Sequence, residues 1–232
     1  MAQAFVQRAA NTAGASGTTV AQAYSSGNTG GNCLIAVVNW VETSISGPFS
    51  TVTVADTANG SSYTSAALSN NKIGGFSNWS EQAFILTGCN SGANTVTATF
   101  STTVNFPKII VLEYSGVSGA GTASVVSTTV ANDSTTPSTG NLTVGSGQGI
   151  FASVITPGGD VTTAGTNYTL REDFGSGGVQ DWLNATTGSQ SIGMNLNVAS
   201  AYGFIAFLML GAGAGGSQIS WVNRHRKFVN KR

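Results

Sequence analysis

Cys33-Leu-Ile-Ala-Val-Val-Asn-Trp40 is a continuous apolar run of strand length. Its apolar residues do not alternate with polar ones, so it reads as a strand buried on both faces. The segment has an echo. Asn32-Cys-Leu-Ile-Ala-Val-Val38 is answered by Gln148-Gly-Ile-Phe-Ala-Ser-Val154, an offset of 116 residues. Ser62-Tyr-Thr64 is answered by Asn167-Tyr-Thr169 at an offset of 105, and residues 81–88 by 181–188 at 100. Val96-Thr-Ala-Thr-Phe100 is answered by Ile192-Gly-Met-Asn-Leu196, and residues 106–111 by 202–207, both at 96. Offsets that only shrink are what retained strands and shortening loops produce, so the order of matches points to an internal duplication.

Other segments read as strands and turns. Ser50-Thr-Val-Thr-Val-Ala55 alternates and ends at Asp56-Thr-Ala-Asn-Gly60, where Asn-Gly signals a tight turn. Residues 81–87 and 93–100 flank the Gly88-Cys-Asn-Ser-Gly92 turn and read as a hairpin. Residues 108–114 form another buried strand, with Pro107 at its start or on an edge.

Composition agrees. Charged residues are 8% of the 232, against about 25% in an ordinary soluble domain. Gly, Ser and Thr together exceed a third of the chain, while the hydrophobic fraction of 41% is enough for a core. Hydroxyls and glycine in place of charge suit many short strands and tight turns. Collagen is excluded by four prolines and no three-residue glycine period, and a helical bundle by the scarcity of Leu, Glu, Lys and Arg. The expected fold is all-β: a jelly-roll-like, two-sheet antiparallel β-sandwich built from two sequence-related halves, about 20–117 and 130–210. No Pro-rich or charged linker divides the halves, so residues 1–211 are expected as one sandwich; two separate immunoglobulin-like domains are the competing reading. Residues 212–232 are expected as a Gly-rich linker and a basic, aromatic tail.

Gly31-Asn-Cys-Leu-Ile-Ala-Val-Val38, Thr51-Val-Thr-Val-Ala-Asp-Thr-Ala-Asn-Gly-Ser-Ser-Tyr63, Ile110-Val-Leu-Glu-Tyr-Ser-Gly-Val117, Gly165-Thr-Asn-Tyr-Thr-Leu170 and Tyr202-Gly-Phe-Ile-Ala-Phe207 resemble a family of β-sandwich domains. That family occurs in bacterial surface proteins and phage-encoded proteins and is largely uncharacterised. The resemblance spans roughly residues 31–210, implies the sandwich, and brings no catalytic motif.

Chemistry-bearing residues are sparse. The acids are Glu42, Asp56, Glu81, Glu113, Asp133, Asp160, Glu172, Asp173 and Asp181. None forms the clustered strand pattern of a sandwich glycosidase, which needs two carboxyls facing each other across a substrate. Glu81 and Asp181 are matched positions of the repeat and read as solvent-facing. Asp56-Thr-Ala-Asn59-Gly60 reads as an Asx turn rather than a calcium loop. His225 is the one imidazole, so neither a nucleophilic triad nor a zinc site is expected. Catalytic, cofactor-binding and metal-binding residues are therefore expected to be none. Cys33 and Cys89 read as two buried thiols rather than a disulfide.

Two features point to contacts. The loop Lys72-Ile-Gly-Gly-Phe-Ser-Asn-Trp79 and its counterpart Asp173-Phe-Gly-Ser-Gly-Gly178 resemble sugar-binding or protein-contact loops, with Phe76, Trp79, Phe174 and Trp182 as contact residues. In the tail, Trp221, Arg224, Arg226, Lys227, Phe228, Lys231 and Arg232 read as a docking peptide for an acidic partner surface. Residues 1–216 carry four basic against nine acidic groups, so the body offers no nucleic-acid footprint. The first residues show no signal-peptide pattern, and the apolar stretch 204–210 is too short to span a membrane. The function expected is a non-enzymatic structural virion protein of a bacteriophage, a capsid decoration (cement) subunit or a short head or tail fibre. Its partners would be the major capsid protein, other virion proteins and further copies of itself, and its location the virion. The alternative is a carbohydrate-binding or adhesin module of a bacterial surface protein, with a glycan as partner.

Overall fold

The computed structural model describes residues 1–44, 49–73, 77–127 and 133–212, and these form fifteen antiparallel strands. The all-β antiparallel sandwich is the architecture found. In the first unit β1 (Ala4–Asn11), β3 (Cys33–Glu42), β5 (Thr64–Ile73), β6 (Ser77–Leu86) and the second arm of β7 (Thr95–Ser115) make a five-stranded sheet ordered β1-β7-β3-β6-β5. β2 (Gly17–Ala23) and β4 (Val52–Asp56) pair with the first arm of β7 on its two sides. The second unit has β8 (Val117–Ser127), β10 (Gly149–Ile155), β12 (Thr169–Asp173), β13 (Gly177–Trp182) and β15 (Gly203–Gly211) in the order β12-β13-β10-β15-β8. Its small sheet is β11-β14-β9, from β9 (Ser138–Val144), β11 (Val161–Ala164) and β14 (Gly188–Leu196). With the arms of β7 counted separately, each unit has eight strands, alternates between a large and a small sheet, and repeats the other's pairing order. Eight strands in two sheets is the jelly-roll count.

Where two sheets were expected in all, the units stack into four layers with three apolar cores. Leu34, Trp40, Val54, Phe100 and Ile109 fill the core between the first unit's two sheets. Ile150, Phe204, Leu208, Ile192 and Met194 fill that of the second. Between them the two five-stranded sheets meet through Ile35, Ile110, Tyr114, Phe151, Val179 and Phe207. The physical reason lies in β3 and β10: every residue of both is buried, so each sheet needs a partner on each face. A two-sheet sandwich would have left one face of each wet. The expected hairpin around Cys89 is also absent: β6 pairs with β3 and β5, and the chain crosses to the small sheet before β7. Cys33 lies in the central core and Cys89 in the first unit's own core, and both are free and buried.

Strand register refines the matches read from sequence. Ile35 pairs with Ile85, and Phe151, at the expected offset of 116 from Ile35, pairs with Asp181. Asp181 therefore takes the place of Ile85, not of Glu81. Val37 pairs with Ile110 and Ser153 with Ile205, so the last match is one residue shorter than the sequence suggested. One residue matters, because it exchanges the two faces of a strand.

β7 turns the corner between sheets at a bulge. Asn39 pairs with Lys108 and Val41 with Asn105, leaving Phe106 and Pro107 opposite Trp40. Pro107 sits in this bulge, where no ladder hydrogen bond is required of it. Gly14 packs here so closely that a Cβ would lie 1.9 Å from the Pro107 carbonyl oxygen. Phe207→Ala, in the central core beside Phe151 at 5.0 Å, should destabilise the protein by about 3–5 kcal/mol in denaturant unfolding. A loss below about 1 kcal/mol would contradict the central core described here.

Candidate functional site

The carboxylates hold loops. Glu113 accepts from Gln7 Nε2 at 2.6 Å, Asn28 Nδ2 at 2.8 Å, the Thr29 amide at 2.8 Å and Asn32 Nδ2 at 2.6 Å. Burial alone would raise its pKa, but these donors outweigh burial and hold it below the usual range. Asp56 closes the expected Asx turn, accepting from the amides of Ala58 and Asn59, from Tyr63 Oη at 2.9 Å and from Asn94 Nδ2 at 3.0 Å. Burial raises its pKa too, and the hydrogen bonds from Asn94, Asn59 and Tyr63 bring the net shift downward. Glu42 takes Trp40 Nε1 at 2.7 Å and the amide and hydroxyl of Ser50. Among the described residues no group of three His, Cys, Asp or Glu could hold a metal ion.

Glu81 and Asp181 are not solvent-facing; both are buried in the central layer. Arg171 donates to Asp181 from Nε at 2.6 Å and Nη2 at 2.9 Å, Tyr114 Oη donates to it at 2.8 Å, and the guanidinium lies 4.1 Å from the Phe5 ring centre. This bidentate pair ties β12 and β13 to β7 across the layer. Arg8 of the first unit and Glu172 of the second form another ion pair, this one between the units. Glu81 Oε1 accepts from Asn39 Nδ2 at 3.0 Å and from Ser153 Oγ of the other unit. Burial pushes its pKa up to about 8, against the opposing effect of those two hydrogen bonds.

Beyond Asn39 the central layer opens into a cleft of about 390 Å³. Its walls come from both units: Thr12 to Gly14 after β1, Asn39 to Val41 of β3, Trp79 of β6, Phe106 and Lys108 of β7, Ile155 of β10, and Ser176. Trp79 is half-buried, whereas Phe106 is 62% exposed. Phe106 has φ of 48°, a left-handed conformation costing a phenylalanine about 1–3 kcal/mol. The bulge thus turns an aromatic ring to solvent at the cleft mouth. Lys108 Nζ crosses between the units to the Phe174 carbonyl at 2.9 Å and Ser176 Oγ at 2.7 Å. Three other depressions have walls rich in Ser, Thr, Gly and Ala.

Of the contact residues read from sequence, Trp79 lines this cleft. Phe174 belongs to the central core, buried beneath Lys108 Nζ, which lies 5.3 Å from its ring centre. It therefore packs rather than presenting a surface. Trp182 packs edge-on against Tyr168 at 5.6 Å, on the margin of the second unit's core. Phe76 and the tail residues Trp221, Arg224, Arg226, Lys227, Phe228, Lys231 and Arg232 lie outside the described residues. Sequence reading missed Asn39, Phe106 and Lys108. Only Pro107, a proline inside a strand pattern, signalled the bulge that brings them together. Scans of known protein families, curated proteins and solved structures return no match for this chain.

Stability should follow the titrations. Glu81 keeps its proton in the native state up to about pH 8, whereas the unfolded carboxyl releases it near its ordinary value of 4.5. The native state thus holds the extra proton between these values, so stability is full below that window and falls as pH rises through it. Asp56 and Glu113 act oppositely, their contribution being lost as pH falls below the ordinary carboxylate range. The unfolding temperature should decline from about pH 5 to about pH 9, and Glu81→Gln should flatten the decline. An unchanged slope in Glu81→Gln would refute this role for Glu81.

Proposed function

We propose that the protein is a non-enzymatic structural module of a bacteriophage particle, a capsid decoration subunit or a short head or tail fibre. The observation that carries this reading is the polarity of the block. The Met1 amino group donates to the Ala212 carbonyl at 2.9 Å, Gln3 Nε2 donates to Met209 O at 2.8 Å, and Asn184 Nδ2 donates to the Gln3 carbonyl. Residues 1 and 212 therefore meet at one pole. β1 then runs eight residues, roughly 25 Å, toward the cleft. A body held at the first pole projects the second outward, and the basic, aromatic segment 217–232 follows from the pole where Ala212 sits. The engagement of Glu42, Asp56, Glu113 and Asp181 in packing and loop anchorage supports a structural rather than catalytic role. The resemblance to phage-encoded sandwich domains points the same way, and the common pairing order of the two units favours descent from one duplicated half. On this reading the tail docks on the major capsid protein or another virion protein, with Trp221 and Phe228 as apolar anchors.

Proteomics of particles purified from the source should contain the chain, and absence from the particle refutes the proposal. Truncation after Gly216 should leave the unfolding temperature nearly unchanged while abolishing attachment to particles. Attachment retained by the truncated protein would overturn the docking role of the tail.

A further inference from the structure

The cleft between the units has a chemistry of its own. Asn39 is 1% exposed and lines it; its Nδ2 is committed to Glu81 Oε1, and neither its Oδ1 nor Glu81 Oε2 has a hydrogen-bond partner among the described residues. A buried carbonyl oxygen of this kind calls for a donor. Lys108 Nζ, on the same wall, carries three protons and spends two on Phe174 O and Ser176 Oγ, which leaves one to give to an acceptor. Trp79 and Phe106 supply aromatic surface, and Phe106 is held there in a conformation that phenylalanine disfavours. A ligand suited to all three must offer a hydroxyl that donates, an oxygen that accepts, and an apolar C–H face.

We infer that this cleft is a binding site for a short neutral saccharide. A pyranose ring meets the three demands at once: its C–H face packs on Trp79 and Phe106, one hydroxyl donates to Asn39 Oδ1, and another oxygen accepts from Lys108. A strongly anionic sugar is not called for, because burial lowers the Lys108 pKa against the opposing charges of Asp160 and Asp173, and the ammonium already has two neutral acceptors. The volume of about 390 Å³ lies in the range of small-ligand sites. The two loops singled out in the sequence for sugar or protein contact converge here, one through Trp79 and the other through Ser176. The inference goes beyond the structural role proposed above and does not depend on it, since a saccharide site would serve on a particle or on a cell surface.

The test is a glycan array of neutral oligosaccharides built from glucose, galactose, mannose and N-acetylhexosamines. It is followed by calorimetric titration of the full chain with the best binder. Binding is expected, with a change in tryptophan fluorescence that is lost in Trp79→Ala. Phe106→Gly removes the ring and relieves the positive φ, so it should unfold no earlier than the parent yet bind at least about tenfold more weakly. Lys108→Met should also weaken binding. No binding to any neutral glycan at millimolar concentration overturns the inference, as does binding that Phe106→Gly and Trp79→Ala leave unchanged. Capture of an apolar dye or a peptide in the cleft with no saccharide bound would equally overturn it. Failure here leaves particle proteomics unaffected, so the two proposals fail separately.

Discussion

The whole arrangement depends on two five-stranded sheets whose central strands have no wet face. β3 and β10 are buried along their full length, so each sheet must be covered twice. One cover is the small sheet of the same unit and the other is the opposite unit. A central core is thereby created that neither half owns, and Tyr114, Phe151 and Phe207 are among its largest fully buried side chains. Polar groups in that layer are costly unless paired. Several of those present bind the units together: Tyr114 with the Asp181 that Arg171 holds, Ser153 with Glu81, and Lys108 with Ser176. The relative placement of the units is thus specified by directional bonds as well as by apolar area.

The low charge of the sequence takes on a different meaning inside this frame. The chain of 232 has only nine acids, and five of them, Glu42, Asp56, Glu81, Glu113 and Asp181, are buried. A sandwich of short strands has long crossings between its sheets, and each crossing exposes amides that no ladder satisfies. A carboxylate accepts several such donors at one point. Glu113 gathers Gln7, Asn28, Thr29 and Asn32, so it fixes the connection between β2 and β3 against β1 and β7. Asn and Ser supply the reciprocal donors, which is why the composition is rich in them. Solvation is left to hydroxyls, amides and a few exposed charges such as Asp133, Asp160 and Asp173.

Much of the fold was legible because it rests on local pattern. The doubly buried strand at Cys33, the alternation at Val52 and the Asn59-Gly60 turn are all found in place. The layer count was not legible. An apolar run shows that both faces of a strand are covered, but not whether the cover is the same half or the other. Register was legible only where aromatic or apolar landmarks pin it, and the Glu81 match to Asp181 slipped because both residues stand in similar Thr/Gly-bounded segments. The Asx turn at Asp56 was readable, since Ala58, Asn59 and Tyr63 lie within seven residues, whereas its bond from Asn94 was not. The cleft was not, since Asn39, Trp79, Phe106 and Ser176 are brought together by sheet pairing and by unit stacking alone.

Phe106 is where these threads meet. A strand that serves two sheets must bend, and β7 bends by carrying two residues, Phe106 and Pro107, opposite the single Trp40. Glycine would suit a positive φ better, and asparagine is tolerated there, as at Asn167 and Asn184. A phenylalanine in that conformation, with its ring 62% exposed, gains little from burial to offset the backbone cost. Fold stability therefore does not account for the residue. Its position does: the ring stands at the mouth of a cleft whose walls come from both units and which is lined by Asn39, whose buried carbonyl oxygen has no partner among the described residues. Strain in the backbone, exposure of the ring and an unmet hydrogen bond converge at one place, and a bound ligand would account for the last two together.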